Sequence, residues 1–344
     1  MPIVTLGIDI AKNVFQLHGV DASGAVILRK QLSRKRLLSY LSELSPCLVG
    51  MEACGSSHYW GREISCLGHE VRLMPAQYVK PYVKRSKTDA ADAAAICEAV
   101  TRPDMRFVAI KSADQQAVLL YHRSREILVK QRTMLVNAVR AHMAEFGVVV
   151  ARGLQNVDKL KTLLDEQAGH LIPSEAQYLL AMLFTQITAL NDSIADLDKR
   201  IRLWHSKDEA CQRLVTIPGI GPLTATAIVA SIGDGKLFSS GRSFAAWLGL
   251  TPRECSSGGK QKLGGISKQG DGYIRRLLIH GARAVVRMKT RKDAPPSPWL
   301  DSLLARKHRN AATVALANKN ARMAWVILTR EENYQPNKTV DVTA

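Results

Sequence analysis

The chain has 344 residues, 46% hydrophobic and 23% charged, so it has ample apolar material for a packed core and wholesale disorder is excluded. Its 48 Lys and Arg against 30 Asp and Glu give a formal charge of +18, which makes a polyanion the first partner to consider, nucleic acid ahead of membrane. There is no run of 18 apolar residues, no basic stretch leading into an apolar one at the N-terminus (MPIVTLGIDIAKN), and no CxxC pair among the six cysteines. The expectation is a cytoplasmic protein with reduced thiols, no membrane partner and no zinc site, built from two or three domains.

In chain order, residues 3–9 (IVTLGID), 13–20 and 25–31 read as three short strands separated by turn signals at 10–12 and 21–24. Ser33 has the character of a helix N-cap, with a helix to about Leu44. A strand at 47–52 (CLVGME), a helix near 57–67, a strand at 70–74 and helices near 76–83 and 88–101 follow. Hairpin-linked strands succeeded by alternating helix and strand predict a mixed α/β sheet with helices on its faces, over residues 1–110.

Four carboxylates fall where an acid cluster could form. Asp9 ends the first strand and Glu52 the fourth, and residues at neighbouring strand ends can converge. Asp89 and Asp92, in KTDAADA, stand three apart on a predicted helix and share a face. Four converging acids repel one another unless divalent cations neutralise them, and hard oxygen ligands favour Mg²⁺ or Mn²⁺. Such ions can activate the attacking oxygen and stabilise the leaving oxygen of a phosphoryl transfer. Lys84, Arg85 and Lys87 just upstream would supply phosphate contacts. The bland reading makes Asp9 a turn residue and puts Asp89 and Asp92 on a solvated helix. GID also occurs in ATP-binding loops of actin-like proteins, but here IAKN follows, without the second glycine.

From about 112 to 146, and again from about 174 to 205, the chain has helical periodicity with apolar residues at three-, four- and seven-residue steps. Residues 111–208 therefore read as a long-helix, coiled-coil-like arm, either a dimerisation element or a simple helical hairpin. Residues 209–332 read as mostly short helices joined by glycine-rich turns, with a polar tail over 333–344. The charge concentrates here: 211–344 hold 21 basic and 8 acidic side chains. PGIGPLTA (218–225) has the pattern of a helix–hairpin–helix turn, in which Gly219 and Gly221 would leave backbone N–H groups for a phosphate. TPRECSSGGKQKLGGISKQGDGYIRR (251–276) surrounds Ser256 and Ser257 with Lys260, Lys262, Lys268, Arg275 and Arg276. By itself a Ser-Gly-Gly stretch reads as a flexible loop. Amid this charge, a serine hydroxyl could approach a DNA phosphate once activated by a base or a metal.

The joint occurrence of GIDIAKN, ME at 51–52, KTDAADA, PGIGPLTA and SSGG…GGISKQGD…IRR, in this order over nearly the whole chain, resembles the DEDD-type insertion-sequence transposases. These are insertion-sequence family 110, and the SSGGKQKLGGISK form is most similar to its subgroup with subterminal inverted repeats. The resemblance implies an N-terminal RuvC-like domain of RNase-H fold, a coiled-coil arm and a mostly helical C-terminal transposase domain. It implies a catalytic tetrad of Asp9, Glu52, Asp89 and Asp92 around Mg²⁺, in a bacterial protein associated with the nucleoid when active. A serine before a glycine would be the nucleophile: Ser257 matches best, with Ser256 second because the serine is doubled. The resemblance further implies a serine–DNA phosphodiester intermediate, donor and target double-stranded DNA, a structured bridge RNA as guide, and a homo-oligomer that is a dimer of dimers. Two other readings compete: a metal-dependent four-way-junction nuclease using water, and a non-catalytic nucleic-acid-binding protein.

Overall fold

The computed structural model describes residues 1–84, 88–166, 170–289 and 297–335. These fall into two compact units, Met1–Gln116 with Ala230–Ser239, and Ala117–Val229 with Ser240–Ala344.

In the first unit, β1 (Thr5–Ile10), β2 (Val14–Val20) and β3 (Val26–Ser33) form an antiparallel meander. The chain then makes a 3-10 turn at Arg34–Arg36 and a short α1 (Leu37–Ser42). Ser33 stands at the predicted N-cap position, at the end of β3 and before this turn, but it pairs with Val14 and its side chain makes no capping hydrogen bond. β4 (Leu48–Glu52), α2 (Ser57–Cys66) and β5 (Glu70–Met74) follow, giving a five-stranded sheet of order β3-β2-β1-β4-β5. β4 runs parallel to β1, and β5 parallel to β4. α3 (Ala76–Val79) gives way to a 3-10 turn at Lys80–Tyr82, where Pro81 has no N–H to continue an α-helix. α4 (Asp89–Ala99) completes the unit's α/β elements.

Strand alternation sorts the sheet's two faces. Leu6, Ile8, Val49 and Met51 are fully buried among Phe15, Leu17, Leu37, Leu41, Trp60 and Ile64, against α1 and α2. The opposite face carries Gly7 on β1 and Gly50 on β4, which stand side by side in register. A Cβ on Gly7 would lie 2.5 Å from the Cys97 amide nitrogen and closer still to the Ala93 carbonyl, and one on Gly50 would lie 2.8 Å from Val100 Cβ. Two paired glycines thus let the alanine-rich α4 rest directly on the sheet.

The second unit begins in α5 (Ala113–Glu145) and continues through α6 (Val157–Glu166) and α7 (Ser174–Lys207). α5 and α7 are antiparallel: Arg125 pairs with Asp198 at 2.6 Å, and Arg132 donates to Asn191 seven residues further along and seven residues back. Val139, Met143, Leu160, Leu164, Leu180, Phe184 and Ile187 bury one another at the distal end. The arm is therefore a hairpin with α6 packed into its tip, a helix that the long-range periodicity does not predict. Next come α8 (Glu209–Leu214), α9 (Pro222–Ile232), α10 (Gly241–Trp247), an antiparallel hairpin of β6 (Pro252–Glu254) with β7 (Leu263–Ile266), α11 (Gly272–Met288), α12 (Pro298–Arg306) and α13 (Arg309–Arg330). α11 and α13 correct the expectation of short helices, at 17 and 22 residues. α13 is the post on which α8, α10, α11 and α12 pack, burying Ala312, Leu316, Ala317, Asn320, Ala321, Ala324, Ile327 and Leu328.

A polar chain crosses this unit's interior. His122 of α5, 1% exposed, meets Tyr273 Oη of α11 at 2.9 Å and Thr226 Oγ1 of α9 at 3.0 Å, and Thr226 donates to the Pro222 carbonyl at 2.8 Å. Burial, with Arg125 nearby, holds His122 down at about 4, so its ring is neutral, and burial pushes Tyr273 up to about 12. The donors then run one way: Tyr273 O–H to Nδ1, Nε2–H to Thr226, Thr226 O–H to Pro222.

Gly7→Ala drives a methyl into the α4 backbone, and overpacking of this kind costs on the order of 3 kcal/mol. We expect the variant's urea midpoint to fall accordingly; an unchanged midpoint would mean that α4 does not sit on the sheet as described.

Candidate active site: an acidic cluster and a serine hairpin

The paired glycines also place the acids. Asp9 lies two residues after Gly7 and Glu52 two after Gly50, so both share the α4 face at the ends of their strands. α4 begins there. Thr88 caps it, its hydroxyl accepting from Ala91 N–H at 3.2 Å, and Asp89 and Asp92 occupy the first turn, where the helix dipole favours carboxylates. One ligand oxygen from each of Asp9, Asp89 and Asp92 lies within 4.8 Å of the others. Glu52 stands outside this trio but contributes to the field on Asp9.

Asp9 is pushed up to about 6, first by burial, then by Asp92, Asp89 and Glu52, against a stabilising hydrogen bond from the Ile10 amide. A carboxylate raised by other carboxylates is one that a cation would return to its ionised form. The donor set is all oxygen, without His or Cys, and fits a hard divalent ion such as Mg²⁺ or Mn²⁺.

The serines lie in the second unit, on the β6–β7 hairpin. The expectation of a flexible loop is corrected: Cys255 N–H donates to the Lys262 carbonyl at 3.0 Å, and Lys260 N–H to the Ser257 carbonyl at 3.1 Å, closing the turn through Gly258 and Gly259 at φ +56° and +74°. Ser256 Oγ donates to Glu254 at 2.7 Å and accepts from the Lys262 amide at 3.2 Å. Ser257 makes no side-chain hydrogen bond among the described residues, and both serines are exposed. Glu254 went unnoticed in the sequence; its i, i+2 spacing from Ser256 along a strand was the available signal.

The predicted basic contacts divide. Lys260, Lys262 and Lys268 are exposed on the hairpin and beyond it. Lys84 pairs with Glu98 at 3.1 Å. Arg275 donates to the Leu248 and Gln269 carbonyls at 2.8 and 2.7 Å, and Arg276 pairs with Glu126, so both also hold the fold. Arg85 and Lys87 lie outside the described residues, as does the tail from 336. Gly219, at φ +92°, is pressed against Gly281 of α11, which explains this glycine by packing; Gly221 faces open space. No described helix is long and apolar enough to cross a membrane.

Comparison with known proteins agrees with this geometry. Residues 6–147 match the IS110-type DEDD family, described as Transposase, and residues 211–295 match the Transposase IS116/IS110/IS902 family. The chain is 50% identical over 338 residues to a probable family 20 transposase of Pseudomonas aeruginosa, covering 98% of this chain and all of that protein. It is 42% identical over 331 residues to the transposase for insertion sequence element IS1328 of Yersinia enterocolitica, covering 96% and 98%. Over 334 residues it is 42% identical to the transposase for IS1111A of Coxiella burnetii, covering 97% and 92%.

The raised Asp9 has a signed consequence. The folded state binds its proton more tightly than the unfolded chain, so stability falls as pH rises from the ordinary 3.8 through about 6. In EDTA, Asp9→Asn should unfold at a higher temperature than the parent above pH 6, with the difference closing towards pH 4. A difference independent of pH would show that burial and the neighbouring acids do not raise Asp9.

Proposed function

The chain belongs to the IS116/IS110/IS902 family of DEDD-type transposases, DNA-acting enzymes of insertion sequences, and from that premise we propose that it cuts and rejoins DNA strands through a serine–DNA phosphodiester. The observation that carries this reading is the convergence of Asp9, Asp89 and Asp92, with Glu52 beside them, at the end of a sheet of order β3-β2-β1-β4-β5. That order, three antiparallel strands followed by two parallel ones, supports an RNase-H-like, RuvC-like domain. Those four residues would hold Mg²⁺ or Mn²⁺, which when bound neutralises the cluster and polarises a phosphate oxygen.

The chain's own part is nucleophile, proton and grip. The Ser257 hydroxyl attacks a DNA phosphorus; a serine Oγ–P bond forms, a strand P–O bond breaks, and the serine's proton ends on the departing strand oxygen. The phosphodiester is conserved, so a free strand hydroxyl can reverse the step onto a new partner without added energy. Ser257 holds the role because it precedes glycine and its hydroxyl is free of internal bonds. A second assignment has its own observation: Ser256 already donates to Glu254, an acceptor for its proton. Lys260, Lys262 and Lys268 would hold phosphates around either serine, with donor and target duplexes as substrates. In this reading a structured guide RNA supplies site choice, and a dimer of dimers of the chain assembles on the DNA.

The test is a covalent trap with labelled element-end DNA, Mg²⁺ and denaturing electrophoresis. The parent and Ser256→Ala should form the adduct and Ser257→Ala should not; the reverse pattern would move the role to Ser256. Asp92→Asn should lower cleavage about 100-fold or more, since a metal site supplies several kcal/mol to the transition state. Cleavage by the parent with no adduct would favour a nuclease using water, and full activity of Asp92→Asn would remove the acidic site from the chemistry.

A further inference from the structure

Besides the hairpin's lysines, the second unit holds three cations that the reaction leaves unused. Gly241, the buried first residue of α10, lies against the backbone of Arg322 on α13: a Cβ there would sit 3.0 Å from the Arg322 carbonyl oxygen and 3.3 Å from its Cβ. Arg242 is the next residue, and so is brought to the same place. Lys319 precedes Arg322 by three positions and shares its helix face. Its ammonium is fixed 4.3 Å over the ring of Trp299 on α12. Elements distant in sequence thus bring Arg242, Lys319 and Arg322 to one place on α13.

Among the described residues, no carboxylate stands within ion-pair distance of them. Elsewhere in the unit cations meet carboxylates, as in Arg125–Asp198, Arg276–Glu126 and Lys289–Asp301. Among the described residues, none of these three makes an ion pair. Lys319 and Arg322 are half-buried, and Arg322 Nε is buried with no hydrogen-bond partner. Burial, then Arg322, holds Lys319 below its ordinary range; burial, then Arg242, does the same to Arg322. Adjacent, partly desolvated like charges destabilise a fold unless an anion completes the group.

We propose that Arg242, Lys319 and Arg322 form a phosphate-binding site for the backbone of duplex DNA, with Trp299 orienting the lysine. This rests on the chain's acting on DNA and adds residues other than the serine hairpin's lysines to the grip. Three cations without a base-reading amide or carboxylate hold phosphate whatever the sequence, so the site positions DNA and does not select it.

The test is fluorescence anisotropy on the full chain in EDTA, with a labelled DNA duplex of about 30 base pairs of arbitrary sequence and an RNA duplex of the same sequence, between about 50 and 200 mM salt. Lys319→Gln/Arg322→Gln should weaken DNA binding about tenfold and reduce the slope of log affinity against log salt by about 2, one for each phosphate no longer neutralised. The same variant should melt at or above the parent's temperature, because repulsion is removed, which separates a binding defect from a folding defect. Arg242→Gln, on an exposed side chain, should reduce the slope by about 1, and Lys319→Arg should bind as the parent does. Parent-like affinity and slope in the double variant would overturn the inference, as would a lowered melting temperature or a weakening confined to the RNA duplex. Failure of the parent itself to bind the DNA duplex would instead overturn the reading on which it rests.

Discussion

The geometry of the candidate active site depends on one close approach: α4 lying on β1 and β4 at Gly7 and Gly50. Any side chain at either position would lift the helix, and with it Asp89 and Asp92. Because the strands repeat every two residues, the glycines that admit the helix and the acids that meet its first turn belong to one face. Bringing the backbones together and bringing the charges together are therefore a single geometric fact. The apolar face opposite, built on Phe15, Trp60 and Ile64, provides the burial that offsets the repulsion accumulated at the strand ends.

Much of this was legible in the residues themselves. Strand positions, the N-terminal turn of α4 and the two long arm helices follow from local periodicity and capping, which depend on neighbours in the chain. What escaped depends on distant neighbours. Ser33 takes the cap position, but it also pairs with Val14 and its side chain makes no capping bond. The Ser-Gly-Gly stretch reads as loose because its glycines favour no single conformation; cross-strand bonds from Cys255 and Lys260 close it into a hairpin. Helix α6 has a short amphipathic pattern that only the tip of the arm makes stable. Of the four acids, the trio Asp9, Asp89 and Asp92 has its oxygens together, while Glu52 acts on Asp9 through its field. Arg242, Lys319 and Arg322 gave no linear signal, because their proximity exists only after α10 docks on α13.

Electrostatics ties these parts together as opposites. The first unit concentrates like-charged carboxylates at its strand ends; the second leaves cations exposed on a hairpin and half-buried on α13. Each is an unfavourable arrangement for the isolated chain, and under the proposed reaction each would be relieved by a different component, metal ion in the first case and nucleic-acid phosphate in the second. The net charge of +18, a sum over the whole chain, shows neither.

The one-way chain from Tyr273 through His122 and Thr226 to the Pro222 carbonyl bears on how this protein can change over generations. The ring has no spare nitrogen, so replacing Tyr273 or Thr226 strands a ring nitrogen in the interior, and replacing His122 strands the tyrosine hydroxyl. Phenylalanine for the tyrosine, or valine for the threonine, is tolerable only alongside a change at the histidine. The three positions, contributed by α5, α9 and α11, should drift as a set across relatives, inherited together or exchanged together for an apolar trio, while the surface around them varies freely.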